Sequence, residues 1–116
     1  MQLPTSKKAL VIDLDGTICS QEDSGEYHRA YPVLKVIFKV NELWTRGWDI
    51  IIYTARGMKT FDGDVKKIED VYREETEKWL KDNRVMYTKL IFGKPSGDVY
   101  VDDKGKTINE FVYGRE

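Results

Sequence analysis

Ala9-Leu10-Val11-Ile12-Asp13-Leu14-Asp15-Gly16-Thr17 is the stretch on which the reading of this chain turns. Residues 9–12 form a short apolar run rich in β-branched side chains. With no polar alternation, the run predicts a strand buried on both faces. It stops abruptly at two acids that bracket a leucine. Gly16 follows, and glycine lets a backbone approach a ligand closely. By itself Asp-x-Asp-Gly is often just a turn, because Asp and Gly favour turns. Its meaning depends on what the rest of the chain brings to the same place.

Residues 18–31 are polar and irregular, with Gly25 among them, and predict a loop or a small hairpin. Pro32 suits the first turn of a helix. Val33, Val36, Ile37, Val40, Leu43 and Trp44 then recur at helical spacing, and Gly47 ends the helix in a left-handed conformation. Asp49-Ile50-Ile51-Ile52-Tyr53 predicts a second buried strand, ending in Thr54-Ala55-Arg56-Gly57. Asp62 or Asp64 can cap a long helix with Val65, Ile68, Val71, Tyr72, Trp79 and Leu80 on one side. Its outer face pairs Glu69 with Arg73, Glu74 with Lys78 and Glu77 with Lys81, and Asn83 is a plausible stop. Lys89-Leu90-Ile91-Phe92 predicts a third strand, followed by a turn over residues 93–97. Val99-Tyr100-Val101 predicts a fourth, ending at Asp102-Asp103. Thr107-Ile108-Asn109-Glu110 is a capping box that opens a last short helix.

Strands alternating with helices predict an α/β domain built on a largely parallel sheet, spanning residues 1–116 without an internal linker or repeat. In such sheets, ligands bind beyond the carboxyl ends of the strands. Those ends carry Asp13 and Asp15, then Thr54, then Lys94, then Asp102 and Asp103. Acids brought together repel, and some must protonate unless a cation joins them. Carboxylate oxygens suit a hard divalent ion such as Mg²⁺. Lysine adds a point charge for phosphoryl oxygens and threonine a hydroxyl. The set matches phosphoryl transfer, in which positioning and charge neutralisation carry most of the catalysis.

The 116 residues suffice for one core, and the net charge of −1 supplies no global field for nucleic acid. Lys104, Lys106 and Arg115 leave a local basic patch open. Cys19 is the only cysteine, so no intramolecular disulfide is possible. Met1 to Lys8 lacks the apolar core of a signal peptide, and no apolar run approaches membrane-spanning length. These features lead to an expectation of a cytoplasmic protein with no membrane partner.

Asp13-Leu14-Asp15-Gly16-Thr17 resembles the first motif of the haloacid dehalogenase superfamily. Thr54, Lys94 and Asp102-Asp103 resemble its second, third and fourth motifs, in order. Tyr53-Thr54-Ala55-Arg56-Gly57 with Phe92-Gly93-Lys94-Pro95 further resembles small capless members, the capsular polysaccharide biosynthesis phosphatases. The resemblance implies a Rossmann-like core and a Mg²⁺-dependent phosphomonoester hydrolase. Asp13 would be the nucleophile, forming an aspartyl-phosphate, and Asp15 the general acid and base. Mg²⁺ would bind Asp13, the Asp15 carbonyl and the 102–103 pair, with Asp103 favoured as the direct ligand. Thr54 and backbone N–H groups near Leu14 and Ala55 would hold the phosphoryl group, and Lys94 would offset its charge. Asp at position 15 implies fast hydrolysis, where the ion-pumping relatives carry Thr.

Residues 16–31 and 57–63 are too few for an inserted cap, so an open site is expected, with 18–31 as a flap. A phosphorylated sugar or glycan precursor is the substrate the resemblance implies. Action on polynucleotide 3′-ends, as in related domains, is the main alternative, and nucleic acid is disfavoured by the net charge. A phospho-accepting receiver places its aspartate after the third strand, where this chain has Phe92-Gly93, and a non-catalytic binding module would not need intact acids. Only Pro95 to Val101 separate Lys94 from Asp102, too few for a parallel crossover. Either residues 88–92 and 99–102 are not sheet neighbours, or they run antiparallel. Read singly, Arg56 is expected to be a structural or surface ion-pair residue, Cys19 a small packed hydrophobe and His28 a surface residue.

Overall fold

The computed structural model describes residues 7–23 and 25–114. Met1 to Ser6, most of the stretch read above for a leader, and Arg115 lie outside the described residues. In chain order the elements are β1 (Ala9–Asp13), α1 (Leu34–Thr45), β2 (Asp49–Thr54), α2 (Val65–Asp82), β3 (Lys89–Phe92) and α3 (Ile108–Tyr113). A single 3₁₀ turn, Tyr27–Arg29, sits between β1 and α1. The three strands form one parallel sheet in the order β1-β2-β3. Leu10 lies opposite Ile50 and Ile12 opposite Ile52, which in turn faces Leu90. The architecture is therefore α/β and Rossmann-like, with a parallel sheet flanked by helices and no cap.

Each element follows from its residues. In α1, Val36, Ile37, Val40 and Leu43 are buried along one stripe, and Gly47 takes φ +91° just beyond the end. The helix starts two residues later than Pro32 suggests. The Val33 N–H is already donated to the Ile18 carbonyl at 2.8 Å, and its extended backbone makes it the N-cap. In α2, Asp64 is the cap, its side chain accepting from the Lys67 N–H, and Asn83 ends the helix. Ile68, Tyr72, Thr76 and Leu80 form its buried stripe, one turn apart. Val71 falls outside that stripe and is exposed. Glu69 pairs with Arg73 as expected, whereas Arg73 also reaches Glu77 and Lys78 turns to Asp82.

Two expectations are corrected. The strands are not buried on both faces. Leu10, Ile12, Ile50, Ile52, Leu90 and Phe92 point to the side the helices cover, and all but half-buried Leu10 are buried. Val11 and Ile91 point the other way, and Val11 is 62% exposed. Right-handed crossovers that step steadily in one direction place both helices on the same face. The order β1-β2-β3 therefore leaves the second face open.

The fourth strand also does not form. Residues 95–107 are irregular, and Val99 and Val101 are 77% and 90% exposed. With no ladder partner, a β-branched run has nothing to bury itself against. The choice between non-neighbours and an antiparallel pair is thus settled for non-neighbours. Beyond it, the Thr107–Glu110 capping box opens α3 as read, and Ile108, Phe111 and Val112 pack against the core.

Candidate functional site

The site stands at the carboxyl end of the sheet. Leu14, fully buried, separates the two acids of the opening stretch. Its carbonyl accepts the N–H groups of Thr17 at 3.2 Å, Ile18 at 2.9 Å and Cys19 at 3.1 Å. That clamp forces the chain to reverse at once. Gly16 takes φ +83° there, a conformation L side chains rarely adopt. Asp13 and Asp15, two residues apart, emerge into the same cavity.

Asp13 ends β1. Its Oδ1 accepts from Lys94 Nζ at 3.2 Å and its Oδ2 from Thr17 Oγ1 at 3.4 Å. Burial pushes its carboxyl above the usual carboxylate range, by more than the Lys94 charge pulls it down. Lys94 arrives from the turn after β3. Its backbone N–H donates to the Thr54 carbonyl at 3.1 Å, fixing the start of that turn to the end of β2.

Asp15 is held from below. Arg56 Nε lies 3.0 Å from both carboxylate oxygens and Nη2 lies 2.9 Å from Oδ1. The Thr54 hydroxyl donates to Asp15 Oδ2 at 3.2 Å and accepts the Arg56 N–H at 3.1 Å. The guanidinium is only 2% exposed as a residue, stacks 4.5 Å from the Tyr27 ring, and donates to Thr76 Oγ1. Cys19, packed below, places its thiol 3.6 Å from Asp15 Oδ1 and 3.8 Å from Arg56 Nη2. Burial foremost, then the Asp15 charge, pushes that thiol up to about 12.

These groups border a cavity of about 420 Å³. Gln21, Glu22 and Asp23 of the 18–31 segment form one wall, and Lys59 and Thr60 of the loop after β2 another. Of the residues singled out from sequence, Asp13, Asp15 and Lys94 meet at the cavity. Thr54 is adjacent but fully buried, its hydroxyl engaged with Asp15 and Arg56. Asp102 and Asp103 do not join them. They lie exposed on the 95–107 segment and line no part of the cavity. The Asp102 carboxylate instead accepts the Lys104 and Gly105 N–H groups in a local turn. His28 is exposed, as expected.

Among the described residues, no three His, Cys, Asp or Glu side chains converge to hold a metal ion. The repulsion expected among four acids is confined to Asp13 and Asp15, where burial first, with the Asp15 charge adding to it, raises the Asp13 carboxyl. Lys94 is paired with Asp13, Arg56 with Asp15, and the other two acids face solvent. As placed, the four-acid set read from the sequence does not assemble: Asp13 and Asp15 stand at the cavity, and Asp102 and Asp103 stand apart from it. Arg56 is the ion-pair residue expected of it, and the structure adds that its partner is Asp15 and that the pair is buried.

Fold and site together define a capless α/β protein with paired acid–base contacts at its strand ends. The chain belongs to the same family as a structural-genomics target from Vibrio cholerae, whose crystal structure it matches at 35% identity and a TM-score of 0.85. That likeness covers 91% of this chain and 88% of the other. It is also similar to a chain of the Pnkp1/Rnl/Hen1 complex, at 22% identity and a TM-score of 0.59, over 83% of this chain and 30% of that one. The second likeness is one of fold. No family model and no curated protein matches the sequence.

Proposed function

We propose that this chain is a phosphomonoester hydrolase of the haloacid dehalogenase superfamily, with Asp13 as its nucleophile. The observation that carries the reading is the Asp13 carboxylate at a strand end, 3.2 Å from Lys94 Nζ, with Asp15 in the same cavity. An Asp13 oxygen attacks phosphorus, and the bond to the leaving oxygen breaks as Asp15 delivers a proton to it. Asp15 then takes a proton from water, which attacks the aspartyl-phosphate and releases phosphate and free Asp13. Lys94 offsets charge on the phosphoryl oxygens. Arg56 and Thr54 keep the Asp15 carboxylate aimed into the cavity.

A Mg²⁺ requirement belongs to the same proposal and rests on the sequence resemblance, since Asp102 and Asp103 lie away from the cavity. A sugar phosphate is the proposed substrate. Glu22 and Asp23 support it over a polynucleotide, because carboxylates at the rim accept hydrogen bonds from hydroxyls and repel a polyanion. Cytoplasmic residence is supported by the buried, unbridged Cys19. Among the described residues, no helix is long and apolar enough to cross a membrane.

Hydrolysis of p-nitrophenyl phosphate, with Mg²⁺ and with a chelator, tests the reading. Turnover should require the metal and vanish in Asp13→Asn. Wild-type turnover in a folded Asp13→Asn protein would remove Asp13 from the role.

A further inference from the structure

Val99-Tyr100-Val101 has the composition of a strand, yet the middle residue does something a strand would not allow. Tyr100 folds back over its own loop. Its hydroxyl donates to the Pro95 carbonyl at 2.8 Å and accepts the Gly97 N–H at 2.9 Å. One side chain thereby ties residues 95–100 into a closed turn. The Tyr100 ring then lies beside the cavity, with Lys94 Nζ 4.2 Å from its centroid. The Lys94 ammonium is thus held between the Asp13 carboxylate and an aromatic face, with its backbone fixed to Thr54.

We infer that Tyr100 is a positioning residue for Lys94. The inference rests on the reading above, in which Lys94 offsets charge as Asp13 attacks. A lysine reaches its target on a flexible four-carbon stem and loses rotamer freedom to hold one geometry. A ring face attracts the ammonium without neutralising it, as a second carboxylate would, so the charge stays available to the phosphoryl group. Asp13 alone fixes Lys94 only while Asp13 is an anion. Once Asp13 is esterified by phosphate, that anion is gone, and the ring keeps the ammonium in place for the hydrolytic step.

Tyr100→Phe keeps the ring and removes the hydroxyl, whereas Tyr100→Leu removes the ring at similar bulk. With p-nitrophenyl phosphate, Tyr100→Leu should lower kcat about fivefold with KM little changed, the scale of a half-exposed cation–π contact. Tyr100→Phe should recover most of that rate. The second readout needs no turnover. The Lys94 ε-methylene protons should resonate upfield in the wild type and in Tyr100→Phe, from the ring current, and lose that shift in Tyr100→Leu. A Leu variant with wild-type kcat, or a Phe variant that falls as far as Leu while its Lys94 ε-methylene protons stay upfield, overturns the inference. Loss of turnover in Asp13→Asn beside either result shows that the phosphatase reading stands while the role of Tyr100 fails. Absence of wild-type turnover overturns both.

Discussion

The Arg56 guanidinium grips both oxygens of the Asp15 carboxylate, 2.9–3.0 Å away, in a pair almost closed to water. The side chains are 1% and 11% exposed, so breaking the pair strands a buried charge. Arg56→Ala should destabilise the chain by about 3–5 kcal/mol, read from urea melts. Arg56→Lys keeps the charge but cannot reproduce the planar fork. It should fold, and should lower kcat more than it raises KM, because Asp15 is then misaimed rather than absent. An Arg56→Lys variant with wild-type kcat would mean that Asp15 needs no such support.

Asp13 carries a stability cost with a definite pH dependence. Burial holds its carboxyl above the ordinary value near 3.8, so the native chain binds that proton more tightly than the unfolded chain does. Stability from this group is therefore lost as pH rises from about 3.8 through the raised value. Asp13→Asn removes the charge that burial penalises, and the Lys94 attraction is already part of that balance. The variant should melt above the wild type at pH 7, with the gain shrinking as the pH falls towards 3.8. The same substitution should abolish phosphate release, so stability and activity move in opposite directions.

Cys19 should be inert in the folded chain. Its thiol is fully buried and pushed up to about 12, so thiolate, the reactive form, is scarce at pH 8. Iodoacetamide at pH 8 should leave the native protein unmodified by mass and alkylate it fully in denaturant. Rapid alkylation of the native chain would place the thiol in an open environment instead.

Gly57 follows Arg56, and the backbone there tolerates no side chain. It takes φ +76°, and a Cβ would lie 2.9 Å from Tyr72 Cε2 and 3.1 Å from Ile68 Cγ1. Gly57→Ala should cost about 1–3 kcal/mol in urea melts, from backbone strain and overpacking together. Gly25 has a similar φ of +87° with nothing within 4 Å of its missing Cβ. Gly25→Ala isolates the backbone share and should cost about 1 kcal/mol.

Much of this was legible in the residues. Ile12, Ile50, Ile52 and Leu90 announced strands through β-branched apolar runs, and Ile68, Tyr72 and Leu80 a helix through their spacing. Asp64, Gly47 and Thr107 marked element ends as their chemistry requires. Such signals are local: a cap or a periodic stripe is set within a few residues of itself. For the same reason Asp13, Asp15 and Lys94 could be placed at one sheet edge before any coordinates.

The opening stretch determined by itself that an apolar strand would end in two acids bracketing a leucine. Only the tertiary structure decided what those acids meet. The Arg56 contact to Asp15 spans 41 residues and depends on β1 and β2 lying in register, with Tyr27 and Thr76 packed around the guanidinium. The open sheet face and the exposed Val99 and Val101 were equally out of reach, because burial depends on what packs across a strand and not on the strand's own composition. Hydrophobic residues state that burial is favourable; the order of strands and the side on which each helix crosses determine whether burial is met.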